Sequence, residues 1–221
     1  MPRYGRVDPQ YFGHLASAPI DQDGPVLMVN FMKYFARAAY QDGSDRGLTG
    51  KEADDAYSPV DVLARIGAVP VFFADVEPGG EWDRVGIVRY PTRRSFVEMQ
   101  SRQDFREKHQ HKEAGMERTI VSGALPTGVR PRGCGLSPRV IFEMVTEGTS
   151  PTLENAARLR VEGTILGDGR RFAEIAVAWV ADDATPPVPS GDRVVAVTRP
   201  TVDRLSGELA TISPAPVADW S

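Results

Sequence analysis

The 221-residue sequence carries three histidines, one cysteine and a scatter of tyrosine, asparagine, lysine and arginine side chains that could do chemistry. His111 stands toward the end of a helical stretch that should cover a pocket, and a neutral imidazole there can take or give a proton near pH 7. Its plainer reading is a helix-end histidine favoured by the helix dipole. His109 is a second acid–base candidate. Two residues apart on a helix, the two rings point in different directions and do not readily share a metal. No further ligands stand at a zinc or haem spacing, so no metal site is expected.

Four other side chains complete the candidate set. Asn30 lies among apolar neighbours on the same strand face as Met28 and Met32, where an amide needs partners, either structural or from a substrate. Lys33 continues that strand's end, with Tyr34, as a rim residue or as a group that orients an anionic or phenolic ligand. Tyr57 lies on the apolar face of a helix, where its hydroxyl enters a pocket or its ring packs in the core. Arg89 shares a strand face with Val85 and Ile87, and a guanidinium carried inward requires a ligand or a carboxylate such as Glu98 or Glu117. His111 and Arg89 are thus the expected catalytic pair, with Asn30, Lys33 and Tyr57 contacting substrate. Trp82 with Asp83 reads as a hairpin anchor, and Glu117 and Arg118 as structural charges.

Composition narrows the partners. A net charge of -4 and a pI near 5.5 give no broad basic field for a phosphate backbone, so nucleic acid is not expected. The single Cys134 excludes an internal disulfide framework and a thiolate-rich zinc site, and suits a reducing cytoplasm. Residues 1–19 mix Arg3, Arg6, Asp8 and His14 without an apolar run, so neither a secretory signal nor a membrane span is expected there. A phosphate-binding glycine loop and a serine nucleophile elbow are absent, and Gly163 to Gly169 lacks the required pattern. No cofactor is expected, and the expected partner is a small-molecule ligand, with further pairing of two chains into a homodimer left open.

The elements that must position these groups are legible in outline. Residues 1–25 read as an irregular arm. Val26 to Met32 is a continuous apolar run of strand length. Thr49-Gly50-Lys51-Glu52 has capping-box spacing and opens a helix whose apolar positions run from Ala53 to Ala64, kinked at Pro59 and stopped at Gly67. Ala68 to Glu77 and Val85 to Tyr90 form a hairpin about Pro78-Gly79-Gly80. Arg93 to Gly115 is helical, and Thr119 to Leu125 returns to strand. Strand, helix, strand, strand, helix, strand is the ferredoxin-like order, an α+β arrangement with helices on one sheet face.

A Pro-, Gly- and Arg-rich linker, residues 126–138, precedes a second series over residues 139–214. Val140 to Val145 is a strand, Ser150-Pro151 opens a helix, Arg171 to Val180 is a strand, and Val194 to Val197 leads into Thr198-Arg199-Pro200-Thr201. That tetrapeptide echoes Arg89-Tyr90-Pro91-Thr92 at nearly equal spacing from the first strand of its half, which argues for duplication. The second half is degenerate, its last helix mostly lost before a terminal strand at Leu209 to Ser213. A one-sided sheet leaves its other face apolar, and burying it against a second copy stabilises both by roughly 25 cal/mol per Å². The expectation is therefore two tandem ferredoxin-like repeats forming a single-chain dimeric α/β barrel.

The motifs Met28-Val29-Asn30-Phe31, Gly50-Lys51-Glu52-Ala53, Trp82-Asp83-Arg84-Val85, Arg89-Tyr90-Pro91-Thr92 and His111-Lys112 through Ala114-Gly115-Met116-Glu117-Arg118-Thr119, in this order over residues 26–125, resemble the DUF1330 family of the dimeric α/β barrel superfamily. The resemblance departs at Lys112, where the family more often has arginine, so a point charge stands in place of a planar fork. It implies sheet-to-sheet pairing, with the second half in place of a partner subunit. The superfamily spans monooxygenases, isomerases, cyclases, haem enzymes and ligand-binding regulators, so fold alone does not choose a reaction. The expected function is a cofactor-independent isomerase, cyclase or monooxygenase type of enzyme acting by proton transfer on an apolar or aromatic substrate. The alternative is a non-catalytic binding or assembly module.

Overall fold

A computed structural model describes residues 4–57, 59–129, 135 and 137–212. The described strands are β1 (Arg6–Val7), β2 (Val26–Tyr34), β3 (Val69–Val76), β4 (Arg84–Tyr90), β5 (Met116–Pro126), β6 (Arg139–Thr146), β7 (Ala157–Gly167), β8 (Phe172–Val180) and β9 (Arg193–Asp203). The helices are α1 (Pro9–Ser17), α2 (Gly50–Tyr57), α3 (Val60–Arg65), α4 (Arg93–Ser101), α5 (Gln103–Gly115) and α6 (Leu205–Thr211). Neighbouring strands pair antiparallel in the order β7-β5-β2-β4-β3-β9-β6-β8, and β8 pairs back onto β7. The sheet is thus a closed eight-stranded barrel, with β1 added as a short strip on β7.

Strand periodicity explains why Val26 to Met32 carries no polar alternation. Leu27, Val29 and Phe31 point into the barrel, where Phe31 and Phe72 meet Phe142 edge to face at 6.3 and 4.9 Å. Val26 and Met28 point outward into a second core beneath the helices, against Tyr57, Leu63, Phe96, Met99 and Phe105. A strand buried on both faces reads as an unbroken apolar run. The barrel interior is therefore a packed core contributed by both halves of the chain.

Several elements differ from the sequence reading. The arm is ordered: Asp8 caps α1 by accepting from the Gln10 and Tyr11 amides, and Tyr11 lies on Gly123 and Gly163, which face each other across β5 and β7. A Cβ on either glycine would collide with the Tyr11 ring or hydroxyl, so their lack of side chains seats the helix. Pro59 separates α2 from α3 as two helices. No helix opens at Ser150-Pro151. The Glu143 carboxylate, fully buried, accepts from the Thr152 and Leu153 amides and pairs with Arg193 at 2.7 Å, holding residues 150–156 as a non-helical cover on the outer face of β6 and β8. The connection is also too short for a helix with two turns, because β7 already starts at Ala157. The expected terminal strand at Leu209 is instead α6, whose Leu205 and Leu209 close one end of the barrel core. Pro200 lies inside β9, unlike Pro91, which follows β4. Cys134 and Ser213 lie outside the described residues.

Candidate active site under the helices of the first half

Two glycines fix the helices that build the site. Gly50, the first residue of α2, and Gly115, the last of α5, touch backbone to backbone; a Cβ on either would overlap the other's carbonyl. Phe35 locks the crossing, its amide donating to the Gly115 carbonyl at 3.0 Å while its carbonyl accepts from the Gly50 amide at 3.0 Å. The Thr49 capping box closes as expected, with the Thr49 amide donating to Glu52 Oε2 at 2.7 Å and the Glu52 amide to Thr49 Oγ1 at 3.2 Å. This crossing brings Tyr57 of α2 beside His109 and Lys112 of α5.

These three residues line a cavity of about 560 Å³ between the outer sheet face and the helices. The walls are otherwise mostly apolar, with Met28, Val88, Phe96, Met99, Phe105 and Val121 among them. Asn30 is on the floor. Its Nδ2 donates to the Met28 carbonyl at 3.1 Å, no described residue donates to its Oδ1, and Gly86 directly opposite on β4 has no side chain to fill the space.

The polar groups sit in a graded electrostatic setting. The Lys112 ammonium lies 5.5 Å from the Tyr57 ring centroid and makes no ion pair or hydrogen bond with a described residue. Burial pushes it below the usual lysine range, partly opposed by the charge of Asp54. His109 Nε2 meets the Tyr4 hydroxyl at 2.9 Å, while its buried Nδ1 has no partner among the described residues. Burial, assisted by the nearby Lys112 charge, lowers His109 to about 4, so the ring is neutral at pH 7. Burial also raises the Tyr57 phenol well above its usual value, keeping it a proton donor; no described residue bonds to its hydroxyl. At the edge of the cavity, buried Arg84 is held by Asp54, Asp55 and Asp75, and Asp54 also accepts from the Tyr34 hydroxyl at 2.5 Å. Lys51 joins that cluster through Asp55 and Asp75, and its fixed ion pairs read as a brace.

No family model and no curated protein matches the chain. Among solved structures, the methylated RPA0582 protein is 31% identical over 56% of this chain and 94% of that one, with a TM-score of 0.47. The RPA0582 protein of unknown function from Rhodopseudomonas palustris is 29% identical over 54% and 95%, with a TM-score of 0.46. A proposed monooxygenase from Lactobacillus acidophilus is 10% identical over 82% and 97%, with a TM-score of 0.41.

The cavity gathers Asn30 and Tyr57 from the residues singled out in the sequence, together with the second histidine, His109. It does not gather His111, Arg89 or Lys33. His111 Nδ1 bonds the Tyr40 hydroxyl at 2.9 Å, away from the cavity lining, because residues two apart on α5 diverge. Arg89 lies on the barrel-facing side of β4 and pairs with Glu208 of α6 at 3.2 Å, in place of the expected Glu98 or Glu117. Lys33 pairs with Asp83 at 2.8 Å, and Asp83 also accepts from the Tyr34 amide, so Asp83 clamps the strand end. Lys112 is the functional candidate that residue-by-residue reading passed over; three residues on from His109, it shares that helix face.

Proposed function

We propose that the chain is a small-molecule enzyme that works without a cofactor, by proton transfer on an apolar or aromatic substrate held between the sheet and helices of its first half. The observation that carries the reading is Lys112, an ammonium without a partner among the described residues, inside a mostly apolar cavity beside an unbonded tyrosine hydroxyl and an unbonded imidazole nitrogen. A carbonyl or phenol oxygen placed between Lys112 and Tyr57 receives two donors as negative charge develops on it, the role of an oxyanion site. His109 is the acid–base group, replacing His111 in that part, and the Asn30 amide oxygen orients the ligand. The two helix residues are coupled. Because the Lys112 charge helps hold His109 low, charge developing next to Lys112 relieves that repulsion and makes His109 a better base.

The architecture supports the same placement. The strand order β5-β2-β4-β3 in the first half and β9-β6-β8-β7 in the second is the same permutation, which supports two tandem ferredoxin-like repeats, the second stripped of covering helices. The ordered motifs over residues 26–125 support a DUF1330-like first half, and the Gly50–Gly115 crossing gives two of those motifs a physical reason. A site built on α2 and α5 then exists once per chain.

A thermal-shift screen of metabolites, followed by product analysis on each stabilising compound, tests the reading. His109→Gln should keep the stabilisation and lose turnover by about 100-fold or more, whereas His111→Ala should keep both. Full turnover in His109→Gln removes His109 from the mechanism. Compounds that bind at the cavity but are never converted would assign the chain to the alternative, a non-catalytic binding module.

A further inference from the structure

The cavity has a direction. Its lining includes Ile165 of β7, Val121 of β5, Met28 of β2, Val88 of β4, Phe73 of β3 and Val202 of β9, and these six strands are consecutive in the barrel. Five strand-to-strand steps of about 4.8 Å make a slot that follows an arc of about 24 Å around the curved outer wall of the barrel. Distributed over that length, 560 Å³ leaves an average cross-section of about 23 Å², close to that of one extended hydrocarbon chain. Phe12 of α1, which packs against β7, and Val60 of α3, which packs against β3, also line the slot and are 36% and 56% exposed, so apolar surface continues to the outside toward both ends.

The charge pattern is equally one-sided. Lys112 is the one lysine or arginine among the described lining residues. The lining carboxylates are both committed: Asp54 to Tyr34 and Arg84, Asp55 to Arg84 and Lys51. A ligand that fills the slot therefore meets one ammonium that has no ion pair or hydrogen bond with a described residue, flanked by the Tyr57 hydroxyl. From slot shape and charge together, we infer that the cavity takes a single extended anionic amphiphile, an unbranched alkyl chain ending in a carboxylate, with its head on Lys112 and its chain along the row of strands.

This rests on the cavity of the proposed function and goes beyond it, giving the place beside Lys112 to a carboxylate that is already charged when it binds. The apolar stem is retained by burial, at roughly 0.8 kcal/mol per methylene, and the head by a charge-assisted bond to an ammonium that no described residue hydrogen-bonds. Binding should depend on both ends of the molecule.

Isothermal titration with dodecanoate, 1-dodecanol and benzoate, each below any micellar concentration, separates the claims. Wild-type protein should bind dodecanoate about ten- to a hundredfold more tightly than 1-dodecanol, as expected for a hydrogen-bonded charge. Lys112→Met should bind the two alike, and Lys112→Arg should keep the preference. Melting temperatures of the variants show whether each is folded. Equal affinity for acid and alcohol in the wild type, or a preference that survives in Lys112→Met, overturns the anionic head. Benzoate binding as tightly as dodecanoate overturns the extended chain. If none of the three binds while compact neutral compounds from the metabolite screen do, the inference falls and the cavity reading stands. If no compound of any class occupies the cavity, the reading falls as well.

Discussion

At the scale of single residues, the cavity takes the imidazole of His109 into its lining and leaves His111 outside it, bonded to Tyr40. His109 and His111 both stand on α5, and which of them faces the sheet depends on the helix's rotation, set by how Gly115 meets Gly50. A helix with Phe105 as its clear apolar anchor gives the answer in retrospect: His109 is four residues on, under the same face, and its ring lies 5.4 Å from that of Phe105. Lys112 extends that stripe. Arg89 went to Glu208 because α6 was not foreseen, and no reading of β4 alone supplies that partner. The buried neutral His109 has a measurable consequence. Its folded value of about 4 lies below the unfolded value of about 6.5, so the unfolded chain takes up the proton first as the pH falls. The stability this contributes is complete above about pH 6.5 and is lost as the pH drops toward 4, at about 1.4 kcal/mol per pH unit. Denaturant unfolding at pH 6 and pH 5 should show a larger loss in the wild type than in His109→Gln. Equal losses would mean that His109 is not held neutral by burial.

At the scale of elements, the first half was legible because each local signal agreed with the packing. The Thr49 box, the Gly67 stop and the hairpin about Gly79 fall where the sequence puts them, while Pro59 separates two helices where a kink was expected. The second half was less so. Ala157 to Gly167 carries an alternating pattern, with Ala157, Leu159 and Val161 inward and Arg158, Arg160 and Glu162 between them, but the serine-proline start at 150 suggested a helix that Glu143 pre-empts by taking the Thr152 and Leu153 amides. Leu205 and Leu209 stand four apart, a helical spacing that the β-branched residues after them obscured. The element junction on which the site depends is the Gly50–Gly115 crossing. Gly115→Ala must push two backbones apart, a worse case than ordinary overpacking of about 1–3 kcal/mol. A loss of at least about 3 kcal/mol in urea unfolding is expected, with weakened ligand binding in whatever fraction folds, because Tyr57 and Lys112 are displaced from each other. An unchanged midpoint would show that the helices are positioned by other contacts.

At the scale of the whole molecule, the barrel decides where a ligand can go. Phe31, Phe72, Phe142 and their neighbours fill the interior, so the eight strands enclose a core contributed by both halves, and the cavity lined by Tyr57, His109 and Lys112 lies outside it, under α2 and α5. The outer face of β6 and β8 is covered by residues 150–156 at close quarters, which leaves the helix-covered half to carry the slot. No described helix is long and apolar enough to cross a membrane. The closed sheet agrees with the expectation that a four-stranded sheet with helices on one side must bury its other face. That the second half would cover itself with loops was not expected, because the pinning Glu143 looks, in sequence, like one charge in an apolar strand. The most direct test of the account is an experimental structure of the protein with a stabilising ligand bound. The ligand should lie between the outer sheet face and α5, with a polar atom within hydrogen-bond distance of Lys112 Nζ. A ligand inside the barrel, or on the surface away from Tyr57 and Lys112, would contradict it.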